Sequence, residues 1–226
     1  MVRFRCVALL VAVGMLFAST PAAADDPRDY LALGDSVAFG YSPLIPPALA
    51  ADPRNFVGYP EALASSLPLA LTNASCPGEA SGGFISISSP IDNGCRGYRS
   101  FFPLHVNYPT TQSQLDFAIG FLREHRHTKL LTIDIGANDL FLLQRACGGS
   151  TACVVERLPE LLAQLRVNLS TIYARLRHEG HFHGRLVALT YYALYYTDSA
   201  QVLPLGVSPL ASPLRRHRCH PRSMPP

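Results

Sequence analysis

The run Leu130-Leu-Thr-Ile-Asp-Ile135, halted by Gly136, constrains the fold more than any other segment. It is mostly apolar, too short for a core helix, and lacks the alternation of a half-exposed strand. That is the signature of a strand buried on both faces of a parallel sheet. Tyr30 to Leu33, ending at Gly34, repeats the pattern, and Arg185-Leu-Val-Ala-Leu-Thr190 reads as another buried strand. Ala70-Leu-Thr72 is a shorter candidate.

Helical spacing returns between these runs. Gly58 to Leu67 reads as a short helix with Pro60 in its first turn. Thr111 to Arg126 places Leu115, Ile119 and Leu122 on one face. Pro159 to His178 is the clearest helix, with Leu161, Leu162, Leu165, Leu169, Ile172 and Leu176 in one stripe and Gly180 at the C-cap. Cys76 to Pro109, rich in Gly, Ser, Pro and Asn, reads as long loops. Strand and helix alternating in this way predict an α/β fold: a three-layer α/β/α domain with a doubly wound, mostly parallel sheet.

With 48% apolar and 15% charged residues, the 226-residue chain suits one folded domain. The formal charge is only +3, with no basic stripe, so the pattern points away from nucleic acid. Arg3 and Arg5 precede an apolar run from Val7 to Phe17, then Ala22-Ala-Ala24. This predicts a signal peptide over 1–24, a domain over 25–205 and a Pro/Arg-rich tail over 206–226. An uncleaved N-terminal anchor is the alternative. No later segment reaches spanning length, so the mature chain is expected to have no stable membrane span and to be exported, extracellular or periplasmic.

Export favours cysteine pairing. Cys147 and Cys153 bracket a short polar loop, and Cys76 and Cys95 bracket a Gly/Ser-rich one. These are the two natural pairs, and Cys219 is left odd. A zinc site is the rival reading, though no paired ligand spacing joins these cysteines to the histidines.

Ligands of a doubly wound sheet bind beyond the carboxyl ends of its strands. Gly34-Asp35-Ser36 follows the first strand, and Gly136-Ala137-Asn138-Asp139 follows a later one. Both clusters should open on one edge. Ser36 on a tight strand-to-helix turn has the exposure a nucleophile needs, and the N–H groups there can stabilise an oxyanion. The alternative is that Ser36 merely caps a helix. Asn138 can aim an amide at developing negative charge, or simply form a turn. Gly78 in Cys76-Pro-Gly-Glu79 can offer a bare backbone N–H, or be an ordinary loop glycine.

These three blocks, in this order, resemble those of the SGNH (GDSL) hydrolase family, in its secreted bacterial lipase/esterase branch, over residues 28–198. The resemblance implies a flavodoxin-like sheet and a serine ester hydrolase needing no metal or organic cofactor. Its substrates would be small-molecule or lipid carboxylic esters. It casts Ser36 as nucleophile, with the N–H groups of Ser36 and Gly78 and the amide of Asn138 as oxyanion donors. The family also carries an Asp-x-x-His block near its C-terminus that supplies the base. Here no Asp is followed three residues later by His. The tail after Leu205 loses helical periodicity and contains no acid. The expectation is therefore a domain lacking its last strand and His loop, with an inactive remnant as the alternative function. His220 is the other candidate for the base. His105, His125, His127, His178, His181 and His183 are expected to be solvated surface residues. Tyr191, Tyr192, Tyr195 and Tyr196 are candidates for an acyl site or for packing. Oligomeric state is left open.

Overall fold

The computed structural model describes residues 28–191. The signal segment, Cys219, His217, His220 and Tyr192, Tyr195 and Tyr196 lie outside the described residues.

Four strands form one parallel sheet in the order β2-β1-β3-β4. They are β1 (Arg28–Gly34), β2 (Leu69–Asn73), β3 (Leu130–Asp134) and β4 (Arg185–Ala188). β1 pairs with β3 from Tyr30↔Leu130 to Gly34↔Asp134, and with β2 from Arg28↔Leu69 to Ala32↔Asn73. The chain runs outward from β1 to β2, then returns past β1 to β3. This reversal creates a crevice at the carboxyl ends of β1 and β3, where doubly wound folds bind ligands.

The helices are α1 (Ser36–Phe39), α2 (Tyr59–Ser66), α3 (Ser81–Ile85), α4 (Cys95–Phe101), α5 (Gln114–Glu124), α6 (Ala137–Ala146) and α7 (Thr151–His178). Period-two alternation assigns the two sheet faces. Leu31, Leu33, Leu131 and Ile133 are buried in one core with Leu115, Ala118, Ile119 and Leu122 of α5 and Ile172 and Leu176 of α7. Each such leucine or isoleucine contributes about 1.5–3 kcal/mol by leaving water. The other face is polar as well as buried. Tyr30 hydroxyl lies 2.8 Å from Thr132 Oγ1, and Tyr59 of α2 reaches Thr132 and Asp134 at 3.2 and 3.3 Å.

Both predicted cysteine pairs are disulfides, Cys76–Cys95 and Cys147–Cys153, each with Cα atoms 5.6 Å apart. Glu79 shares a cluster with Cys76 and Cys95, but both sulfurs are spent on the bridge, so the cluster is no zinc centre. No helix of the described residues is long and apolar enough to cross a membrane.

Four expectations need correction. The segment from Cys76 to Pro109 is not all loop, since it holds α3 and α4. Neither has a side-chain cap. Tertiary ties replace the local signals: Ser81 binds Asp139, and Cys95 is bridged to Cys76. The helix expected from Pro159 starts eight residues earlier, where Ser150 caps it and the Cys147–Cys153 bridge anchors its first turn. Its stripe is buried only in the C-terminal half. Leu162 is exposed, and Leu161 lines a cavity of about 650 Å³ shared with α6 instead of the core. β4 is mostly exposed, because it is the outer strand among the described residues. Gly180 lies beside the C-cap Glu179 for packing, not for positive φ: a Cβ there would meet the Leu176 carbonyl oxygen at 2.7 Å. His181 takes the left-handed turn instead, at φ 52°.

Candidate active site

β1 and β3 approach so closely at their carboxyl ends that only glycine fits. Gly34 has φ +135°, and a Cβ there would lie 2.2 Å from Asp134 Oδ1 and 2.3 Å from the Asp134 carbonyl oxygen. The chain then turns abruptly into α1. Asp35, not Ser36, is the N-cap, accepting the Val37 N–H at 3.0 Å. Ser36 is thus freed from capping. It is half-buried, and its hydroxyl has no hydrogen-bond partner among the described residues.

β2 delivers the second element. The loop after it is tied to β1 by Ala74 N–H to Ala32 O and Cys76 N–H to Gly34 O, at 2.9 and 3.0 Å. Gly78 turns at φ +81°, where a Cβ would press on the Asn93 carbonyl oxygen at 2.8 Å. The backbone N–H groups of Gly78 and Ser36 have no acceptor among the described residues.

β3 delivers the third. Gly136 precedes α6 at φ +128°, with Leu165 packed where a Cβ would stand. Asn138, in the first turn, is 4% exposed. Its Nδ2 donates to Asp35 Oδ2 at 3.1 Å and to Glu79 O at 2.8 Å. Its Oδ1 accepts from Asn93 Nδ2. One side chain therefore binds the neighbour of Ser36 and the neighbour of Gly78, joining all three predicted blocks. Asp139 faces away and pins α3, accepting Ser81 N–H at 2.9 Å and the Ser81 hydroxyl.

Buried acids surround this knot, which motif reading did not single out. Asp35 is fully buried and also accepts the Tyr191 hydroxyl at 2.6 Å. Tyr191 is therefore more than packing: its hydroxyl is a partner of the N-cap. Burial first, and the Asp35 charge second, push the Asp134 carboxyl well above the usual carboxylate range. Burial also raises Asp35, against the hydrogen bonds from Tyr191, Val37 and Asn138 that lower it. Two buried carboxyls this close oppose each other's ionisation. Asp134 Oδ2 is buried without a hydrogen-bond partner among the described residues. Glu79 is pushed up to about 8, by burial first and the Asp92 charge second. Its Oε2 lies 3.3 Å from Cys95 Sγ, a disulfide sulfur with no proton to give, which suits the protonated carboxyl.

The histidines stand elsewhere. His125, His127, His178, His181 and His183 occupy the segments entering β3 and β4, at the opposite edge of the sheet, and are exposed. His105 departs from the expected solvated state. Its side chain is 12% exposed, its Nε2 lies 3.0 Å from Phe39 O, and its ring packs on Phe39 with centroids 4.6 Å apart.

A family model described as GDSL-like lipase/acylhydrolase matches residues 30–194. No curated protein matches the chain. Solved structures with similarity include phospholipase A1 from Streptomyces albidoflavus NA297 and an extracellular lipase from Streptomyces rimosus, each 20% identical. Each alignment covers 74% of this chain and 62% of the other, with TM-scores of 0.46 and 0.43. The chain thus spans less than two thirds of the length of those proteins. The family match extends over most of the chain and includes Ser36, Gly78 and Asn138, and the chain belongs to the GDSL-like lipase/acylhydrolase family.

Proposed function

We propose that the chain is a serine hydrolase of carboxylic esters, acyl lipids among them, exported after removal of residues 1–24 and working through the domain over 25–205. The observation that carries this reading is the Asn138 bridge, which brings the Ser36 turn and the Gly78 loop to one side chain. Ser36 Oγ attacks the ester carbonyl, and its proton passes to a base. The free N–H groups of Ser36 and Gly78 receive the oxyanion. Asn138 joins them by releasing its longer hydrogen bond, the one to Asp35. The alcohol leaves with a proton, and water then frees the acid from the acyl-enzyme.

One observation favours a second reading, a binding remnant without turnover. The Ser36 hydroxyl has no partner among the described residues, and both Asn138 amide protons are already engaged. Hydrolysis of p-nitrophenyl butyrate by the purified chain, beside Ser36→Ala, separates the two. Turnover abolished by the substitution supports the hydrolase. Equal rates, or none from a folded chain, sink it.

A further inference from the structure

Gln114 is the first residue of α5 and is fully buried. An apolar residue there would bury more cheaply, because an amide loses water and rotamer freedom on burial. Its contacts explain its presence. Gln114 Oε1 accepts the Gly34 N–H at 2.6 Å, and Gln114 Nε2 donates to Gly34 O at 3.0 Å. The amide therefore pairs with both backbone groups of one residue, as a neighbouring strand would. The position demands it, since the β1–β2 ladder ends at Ala32↔Asn73 and the chain after β2 returns only one bond to Gly34, from Cys76. Gly34 lies two residues before Ser36.

The same Nε2 reaches Glu79 Oε2 at 3.4 Å. Glu79 O holds Asn138, and Glu79 follows Gly78. One amide thus touches the backbone that carries the nucleophile and the residue that carries the oxyanion loop. We propose that Gln114 is a positioning residue, fixing the Ser36 turn against the Gly78 loop. This rests on the hydrolase reading above.

The test uses the full chain and a fluorophosphonate probe, with Ser36 labelling followed by intact mass. Thermal unfolding is recorded for every variant. Gln114→Leu removes both bonds to Gly34 and should label roughly 10- to 100-fold more slowly, the cost of a displaced catalytic group. Gln114→Glu keeps the shape and is the decisive variant if leucine fails to fold. Its carboxyl accepts the Gly34 N–H in either form but donates to Gly34 O only when protonated. The ratio of its labelling rate to that of the parent should therefore rise as pH is lowered from 8 to 5. A role in stability alone would leave that ratio flat among folded molecules. A parent that labels, with a ratio independent of pH, overturns this inference alone. A folded parent that does not label overturns the hydrolase reading and this inference with it.

Discussion

Asn138 and Asp35 meet through a single hydrogen bond, Nδ2 to Oδ2 at 3.1 Å, across 103 residues of chain. The contact joins the third family block to the first, and both partners are buried. Asn138→Ala would leave Asp35 and the Glu79 carbonyl each short of a donor. Loss of about 1–3 kcal/mol of stability is expected from buried acceptors left unpaired, read as the urea midpoint. Where the parent turns over ester, loss of one oxyanion donor should lower kcat by about 10²–10³. Asn138→Asp should be worse still, because it sets a third carboxyl beside Asp35 and Asp134. A kcat for the alanine variant within twofold of the parent would remove Asn138 from the oxyanion hole.

Gly34→Ala tests the closeness of β1 and β3. The added methyl would lie 2.2 and 2.3 Å from oxygens of Asp134, one of them backbone, at a φ that L residues rarely adopt. Neither side can yield without disturbing the ladder. The expected loss exceeds roughly 4 kcal/mol, the range reserved for core and backbone lesions. Gly97→Ala, with nothing within 4 Å of the new Cβ and an ordinary helical setting, is the control and should change little. Similar urea midpoints for the two variants would refute the steric argument.

Much of the scaffold was legible because its signals are local. The apolar run ending at Gly136 announced β3, and the Gly34-Asp35-Ser36 and Asn138 blocks announced the edge where they meet. What escaped notice depends on partners distant in sequence. Gln114 looks like any helix residue until Gly34, 80 positions away, is placed against it. Tyr191 reads as packing until Asp35 receives its hydroxyl. The stripe on α7 is periodic throughout, yet periodicity cannot say which half meets a core and which a cavity. For the same reason the run at β4 looked buried, although its burial depends on neighbours, not on its own composition.

The Cys76–Cys95 bridge should matter more than Cys147–Cys153. It closes a loop with sequence separation 19, against 6 for the other. Chain-entropy bookkeeping gives about 3 kcal/mol for the longer loop and less for the shorter. Cys76 also donates its N–H to Gly34, so opening the bridge loosens the turn before Ser36. Urea unfolding of Cys76→Ser/Cys95→Ser and Cys147→Ser/Cys153→Ser double variants should rank them in that order. The reverse order would show that the short bridge guards the α6–α7 corner more than loop entropy predicts.

Glu79 makes stability depend on pH in a defined direction. Its carboxyl is held up to about 8 in the folded chain, chiefly by burial, whereas an unfolded glutamate titrates near ~4.3. Between these values the folded state keeps a proton that the unfolded state has lost. Raising the pH through that window therefore favours unfolding, by at most ~1.4 kcal/mol per pH unit for one group. Below the window both states hold the proton, and above it both have lost it, so the slope from Glu79 vanishes at either end. Asp134 shifts the same way and adds to the trend. Glu79→Gln removes one titrating group while keeping its size and a polar contact for Gln114. Urea unfolding of parent and variant at pH 5, 6, 7 and 8 should give a parent that weakens steadily across the series and a variant with a shallower slope. The two should draw together toward pH 5 relative to their separation at pH 8. Parallel slopes would mean that Glu79 is already ionised in the fold, and its contact with the Cys95 sulfur would then need another explanation.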